Sequence, residues 1–405
     1  MVACKGQSSQ PSAAPSNFTV TPGENRVTLT WDAQPNLTYW AFYKAGSSVS
    51  TNDTNATIIP GISSSPTVVL SLVNGTQYSF VINAHNNNSK GGPNTSVVTV
   101  TPRLLSPDVP WTIGQNFTGN ALRGIAFGNN FYVTAGDGGS VFTAAFNYTD
   151  AGGVTGWIQP TTLPTNAATN FTSVIYDGAR FLALAADGSI IRSNSNSDVA
   201  TWVSGGPIVG APTMNALAYG AGIYIAVGDG GTIERNTNIL DTSAGAWSPQ
   251  TSGTIQDLYG VSYLNGQFIA VGAGGTLLTS PDGVTWTARA SNTNNNLRQV
   301  AYGVISTTLI GTYVAVGDAG TIVSSTDAAN WTSQTIPTTQ SFYSICFGPD
   351  LQFIAAGTNG TLAYSVTGAD GTWAVGNAGS VDLYSIAPAD VFIAVGAAGT
   401  NVSGK

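Results

Sequence analysis

The feature that most constrains this chain is a short motif that recurs along its C-terminal three quarters. It is an apolar strand, a glycine-rich turn and a hydroxyl residue that opens a second strand. The copies begin at Phe131 (Phe131-Tyr-Val-Thr-Ala-Gly-Asp-Gly-Gly-Ser140), Phe181, Tyr224, Phe268, Tyr313, Phe353 and Phe392, and successive starts lie 39 to 50 residues apart. A period near 40–45 residues built from short strands is the mark of propeller blades, in which each unit buries its faces only against its neighbours. Seven copies predict seven blades over residues 104–405.

A tryptophan follows the motif in six copies, at Trp157, Trp202, Trp247, Trp286, Trp331 and Trp373, and is expected to cover the next blade. The seventh copy has none, but Trp111 stands unpaired before the first. If the strand at Trp111 completes the last blade, the ring closes and no sheet edge is left free. In the best copy, Ser280-Pro-Asp-Gly-Val-Thr-Trp286, the Asp282 carboxylate can accept backbone N–H groups across the turn. These repeats resemble the BNR or Asp-box propellers, including the photosystem II assembly-factor group. That family is functionally diverse, so the resemblance implies a fold more than an activity.

Residues 14–102 read differently. Alternating apolar runs such as Val27-Thr-Leu29-Thr-Trp31, Tyr39-Trp-Ala-Phe-Tyr43 and Tyr78-Ser-Phe80-Val-Ile82 are separated by Pro22-Gly23, Asn74-Gly75 and Gly91-Gly92-Pro93. About seven short strands in such a span indicate a β-sandwich. Trp31 is placed to fill its centre, and Leu72–Ala84, with Tyr78, has the form of a tyrosine corner. The segment resembles a fibronectin type III domain, which implies a spacer or adhesive role. The expected fold class is all-β: a fibronectin type III-like β-sandwich plus a seven-bladed β-propeller.

Residues 1–13 are expected to be a tether. Met1-Val2-Ala3-Cys4 resembles the end of a bacterial lipoprotein signal, which makes Cys4 a lipidation candidate and places the chain in a bacterial cell envelope or outside the cell. Cys346, in an apolar run, reads as a buried small hydrophobe. Charged residues are only 8% of the chain, and the net charge is −8 with 12 Lys+Arg. A phosphate-neutralising surface needs a basic patch, so nucleic acid is not expected as a partner. A membrane is expected only through the lipid anchor, and the protein is expected to be a monomer.

Catalysis finds little support. The propeller resemblance includes sialidases, which need an arginine triad and a Glu–Tyr pair, yet the chain has only two glutamates, Glu24 and Glu234. Its single histidine, His85, lies in the first domain, which excludes a Ser–His–Asp triad within the propeller. Asp137, Asp187, Asp229 and Asp318 are read as turn residues rather than a calcium ring or a hydrolytic pair. No metal and no cofactor is expected.

The better candidate site lies on the innermost strands, such as Leu122-Arg-Gly-Ile-Ala-Phe127 and Leu258-Tyr-Gly-Val-Ser-Tyr263. Their first, fourth and sixth positions are apolar and the third is usually small. The second varies: Arg123, Thr172, Asn215, Tyr259, Arg298, Tyr343 and Tyr384. These seven are expected to ring one mouth of the channel, with Arg123 and Arg298 facing each other across it to hold an anionic or hydroxyl-rich group. The function expected is non-catalytic recognition of a glycan or protein ligand, with the first domain as spacer. A secreted glycan-active enzyme and a purely structural or assembly scaffold are the alternatives.

Overall fold

A computed structural model describes residues 10–23, 26–73, 76–86, 91–102, 111–114, 116–146, 156–164, 169–195, 197–243, 245–304, 310–348, 352–389 and 391–404. The chain is all-β and divides into two compact units, residues 1–105 and 106–405. Cys4 and most of the tether lie outside the described residues.

In the first unit, a three-stranded and a four-stranded antiparallel sheet share one core. Val27, Leu29 and Val69 of the smaller sheet meet Ala41, Phe80 and Ile82 of the larger, all nearly inaccessible to solvent. Trp31 lies among them, tilted on Tyr39 at 5.1 Å. The N–H of Val73 donates to the Tyr78 hydroxyl (3.1 Å), which ties the chain entering the long strand Tyr78–His85 to its own start.

The described residues of the second unit form seven antiparallel sheets. Their first strands are Leu122–Gly128, Phe171–Tyr176, Met214–Gly220, Leu258–Leu264, Leu297–Val304, Phe342–Phe347 and Leu383–Ala387. Each packs against the first strand of the following sheet, and Leu383–Ala387 packs against Leu122–Gly128, so the ring returns on itself. The leading residue of every one of these strands is fully buried, from Leu122 to Leu383. The second strands, such as Phe181–Ala185 and Phe392–Gly396, are buried on both faces. They read as continuous apolar runs because a neighbouring sheet lies on each side.

The outermost strand of the last sheet comes from the start of the unit. Thr112–Ile113 pairs antiparallel with Asn401–Gly404, Ile113 opposite Val402 and Thr112 opposite Ser403. Six of the seven tryptophans stand at or one residue before the outermost strand of their sheets, as Trp202 does in Trp202–Ser204 and Trp331 before Thr332–Ser333, and Trp157 stands before the isolated bridge of Ile158 to Thr143. They cover the preceding sheet, not the next. Trp202 shares its core with Val133, Ala135 and Val141 of the sheet before it, and Trp331 with Ile269 and Val271. Trp157 of the first sheet packs with Ile393 and Val395 of the last. Trp111 follows the same rule, donating its indole N–H to the hydroxyl of Tyr364, one sheet back. In three sheets the indole N–H closes on the carbonyl three residues earlier, Trp202 on Val199 (2.9 Å), Trp331 on Ala328 (3.1 Å) and Trp286 on Gly283 (3.3 Å).

Hydrogen bonds repeat across the seams at one end of the ring. Turn amides reach side chains just before the following sheet's first strand: Gly138 to Asn170 (2.9 Å), Gly230 to Asp257 (2.8 Å), Gly274 to Asn296 (3.0 Å), Ala319 to Ser341 (3.1 Å) and Asn359 to Asp382 (2.9 Å). Glycine before such a turn is required by contact: a Cβ on Gly317 would lie 1.9 Å from the Asn296 carbonyl oxygen.

Closure by the Thr112–Ile113 strand makes a direct prediction. Trp111→Ala should cost about 2 kcal/mol, less than the ~3–5 kcal/mol typical of a fully buried tryptophan because Trp111 is half-buried. Deleting residues 104–113 should expose the Asn401–Gly404 edge and produce a protein that associates in light scattering. A monodisperse deletion variant of unchanged melting temperature would refute this role.

Candidate functional site

Seven register shifts build the candidate site. In every sheet of the second unit, the ladder between first and second strands skips one residue near its start. The skipped residues are Arg123, Thr172, Asn215, Tyr259, Arg298, Tyr343 and Tyr384. A β-bulge frees one residue from the ladder and re-aims its side chain. Here it lets the second position vary while its neighbours hold the ring. All seven side chains line one cavity of about 720 Å³. The bulge itself is invisible in the sequence, where the second position is marked only by its variability.

The mouth is uneven. Arg123 makes a two-point ion pair with Asp137 (3.1 and 2.9 Å) and lies 4.5 Å from the centre of the Tyr384 ring. Arg298 does the same with Asp318 (2.8 and 2.7 Å) and lies 4.4 Å from the Tyr259 ring. Tyr343 is tilted on Tyr384 at 5.4 Å. Thr172 and Asn215 are shorter and turned to the backbone. The Thr172 hydroxyl donates to Met214 O (3.1 Å), and the Asn215 amide donates to Leu258 O (3.0 Å) and Asp229 (2.9 Å).

Two expectations are corrected by these contacts. The arginines are not two free cations clamping an anion, because each is already neutralised by a carboxylate from the turn of its own sheet. Nor do Asp137 and Asp318 serve only their turns. Reading them as turn residues missed that the turn after the second strand ends beside the start of the first, so the bulge residue and the turn residue meet. The signal available was the coincidence of Arg and Asp in the same two repeats.

The ionisation of these groups follows from the pairing. The bond to Asp318 raises Arg298 above the ordinary guanidinium value, and the bond to Asp137 raises Arg123. Burial acts to raise Asp318, but hydrogen bonds from Arg298 and Asn296 outweigh it and hold the carboxyl below its usual range. Burial raises the Tyr343 phenol, aided by the Asp382 charge, so it stays a neutral hydroxyl. No hydrogen-bond partner meets the Tyr259 or Tyr343 hydroxyl among the described residues.

The remaining candidates lie elsewhere. Asp229 accepts from Asn215, and Asp187 accepts the Ser189 N–H (2.9 Å) within its own turn. No group of three or more His, Cys, Asp or Glu side chains able to hold a metal occurs among the described residues. Cys346 is a buried free thiol, pushed up by burial. Glu24 is outside the described residues, and Glu234 lines a separate groove near Trp247. The Asp282 turn accepts the N–H groups of Val284 and Thr285 (both 2.9 Å), and Asp327 repeats it with Ala329 and Asn330 (both 2.8 Å), although Ser325–Trp331 departs from the box sequence.

No protein-family model matches the chain, and no curated protein matches it in sequence. Solved structures do match. One is described as YCF48 bound to D1 peptide, with a TM-score of 0.58 and 17% identity, covering 74% of this chain and 97% of that one. Another is the WD40 β-propeller domain of Doa1, with a TM-score of 0.56 and 13% identity, covering 75% of this chain and 96% of that one. At these identities the likeness shows the fold. The chain contains a β-propeller.

The Arg298–Asp318 pair gives a test with a definite sign. A carboxyl with a lowered folded value adds stability above its unfolded value near 3.8, and that stability is lost as pH falls through the folded value. Asp318→Asn should therefore cost roughly 1–2 kcal/mol at pH 7. The gap in melting temperature from wild type should narrow below about pH 4. A gap independent of pH would mean that the pair carries no ionic stabilisation.

Proposed function

We propose that residues 104–405 form a seven-bladed propeller of the Asp-box type that acts as a non-catalytic binding module. Its ligand is a segment of a protein partner held at the channel mouth. Residues 14–102 serve as a fibronectin type III-like spacer, and the chain is tethered to a bacterial cell envelope through a lipid on Cys4. The observation that carries the binding reading is the convergence of seven bulge residues, otherwise unconstrained by the ladder, on one cavity.

Two further features support it. Tyr259, Tyr343 and Tyr384 offer phenol groups and ring edges at low entropic cost, the kind of surface that anchors peptide segments. The carboxylates nearest the cavity are engaged, Asp137 by Arg123 and Asp229 by Asn215. A two-carboxylate hydrolase needs one acid to give a proton and one base to take it, so these contacts support binding over hydrolysis. The matched structure's D1 peptide is a precedent for a peptide on this fold, not an identification of the ligand.

The test is capture from a native envelope extract, with the partner then titrated against purified protein. Tyr343→Ala/Tyr384→Ala should weaken binding at least about tenfold, the loss expected for buried aromatic anchors, while the melting temperature holds. Arg298→Ala/Asp318→Ala, which removes the pair together and strands no charge, should have a smaller effect. Unchanged affinity in the tyrosine variant would leave the mouth a plug and support the scaffold reading. Hydrolysis of a polysaccharide panel by wild type would support the enzyme reading.

Tethering is tested separately. The full-length precursor expressed in a bacterial host should incorporate labelled palmitate, and Cys4→Ala should not. A wild-type product found wholly in the soluble fraction counts against the anchor, since one acyl chain alone holds weakly but a bacterial lipoprotein carries more than one.

A further inference from the structure

The third sheet of the ring departs from the other six at one core position. Opposite an alanine of the second strand, the third strand carries Ile191, Leu278, Val323, Ala363 or Val402, and in the first sheet Phe142 stands opposite Thr134. All six are buried. Leu278 and Val323 belong to the core shared with the sheet before their own. In the third sheet the residue at this place, opposite Ala226, is Glu234. A carboxyl stands where the ring elsewhere sets a hydrocarbon. It opens on a groove of about 440 Å³ at the seam between the second and third sheets. Ile208 and Trp247 are buried parts of the wall, and Val209, Pro212 and Pro249 are exposed parts. Pro249 lies directly opposite Glu234 on the outer strand.

Partial burial of a carboxylate is costly unless a partner meets it. Glu234 has neither a hydrogen bond nor an ion pair among the described residues, and burial pushes its carboxyl above the ordinary value. The other polar side chains of the groove say what partner would fit, because their donors are spent. The Trp247 indole N–H donates to Gly206 O (2.9 Å), the Thr232 hydroxyl to Asp229 O (2.7 Å) and the Gln250 amide to Ser248 O (2.9 Å). The groups left over are the Glu234 carboxylate and the Gln250 oxygen, both acceptors. No other titratable side chain lines the groove, and Arg235, the next residue, donates instead to Asp282 O of the fourth sheet (3.3 Å). The complement is a donor carrying positive charge on an apolar stem. A lysine side chain has that form, with a compact ammonium on a slim aliphatic chain. A guanidinium brings a rigid fork with more donors than these acceptors can satisfy.

We infer that this groove is a second binding site, separate from the channel mouth, and that it takes a lysine side chain of a partner protein with Glu234 as the ion-pair partner. The site does not rest on the reading of the mouth. Its cost falls on the fold: a leucine at position 234 would bury like Leu278, whereas the glutamate leaves a carboxyl half-buried and unpaired until the ligand arrives.

The probe is Nα-acetyl-lysine methylamide, titrated into the full chain while NMR follows the indole N–H signal of Trp247, assigned by its loss in Trp247→Phe. The signal should shift and saturate. The Nε-acetylated analogue, with the same stem and no charge, should leave it in place. Glu234→Gln should weaken lysine binding about tenfold, the loss expected when an ion pair becomes a neutral hydrogen bond. Binding to wild type should also weaken as pH falls through the raised value of Glu234, because the protonated carboxyl carries no charge to pair. Glu234→Leu should abolish binding and raise the melting temperature at pH 7. A shift that never saturates, equal binding of the acetylated analogue, unchanged affinity in Glu234→Gln, or a lower melting temperature for Glu234→Leu would each overturn the inference, the last because the carboxyl would then serve the fold. Tyr343→Ala/Tyr384→Ala should leave the titration unchanged. A loss of lysine binding in that variant would place the probe at the mouth and sink the groove, whereas failure of the mouth to bind a partner leaves the groove standing.

Discussion

A sheet that is apolar on both faces can be buried only between two others, and every sheet of the second unit is of that kind. Ala183 and Leu182, adjacent on one strand, point to opposite faces and are both fully buried, one in the core shared with the preceding sheet and the other in the core shared with the next. No open stack of such sheets ends well, because each end leaves an apolar face in water. The ring ends the stack on itself, with Tyr132 and Phe142 of the first sheet packed on Ile393 and Val395 of the last. The exchange of a strand at Thr112–Ile113 then ties the two ends of the unit together through backbone hydrogen bonds.

The candidate site is a by-product of how that ring is held. First strands that converge on an axis must come close, and small residues at their third position allow it. A Cβ on Gly260 would lie 2.3 Å from the carbonyl oxygen of Arg298 on the following strand. The turn after each second strand hydrogen-bonds back to the residue before the first, as Asp318 N–H does to Asn296 O (2.9 Å), which leaves one residue of the first strand unpaired between two fixed points. That residue is free to vary because the ladder does not use it. Its side chain can change without cost to the packing, and the same turns supply Asp137 and Asp318 as partners for the arginines.

The two units divide the physical roles. The first buries its core between two sheets of its own and depends on neither repetition nor closure. The second is repetitive enough that a feature in one sheet can be checked against six more. Among the described residues the bulge recurs in every sheet, whereas the arginine–carboxylate pair occurs in two. Recurrence marks what the ring needs, and departure from it marks what the site has been given.

Much of this was legible in the residues. The recurring Phe-Ile-Ala-Val-Gly type of strand, the tryptophan after each motif and the lone Trp111 specify short strands, their spacing and the need for a strand from the start of the unit to finish the last sheet, because periodicity and turn chemistry are local. The second position of each inner strand could be singled out by its variability. What the sequence could not decide was direction and partnership. Whether a tryptophan covers the sheet before or after it is a contact between residues of different sheets. Whether Arg123 and Arg298 are free cations depends on turns 14 and 20 residues further along the chain folding back beside them. That five long side chains fall on consecutive sheets, with Arg123 on Tyr384, Tyr343 on Tyr384 and Arg298 on Tyr259, depends on the order in which the sheets meet around the axis. Those are distances between residues remote in sequence, and only the closed ring fixes them.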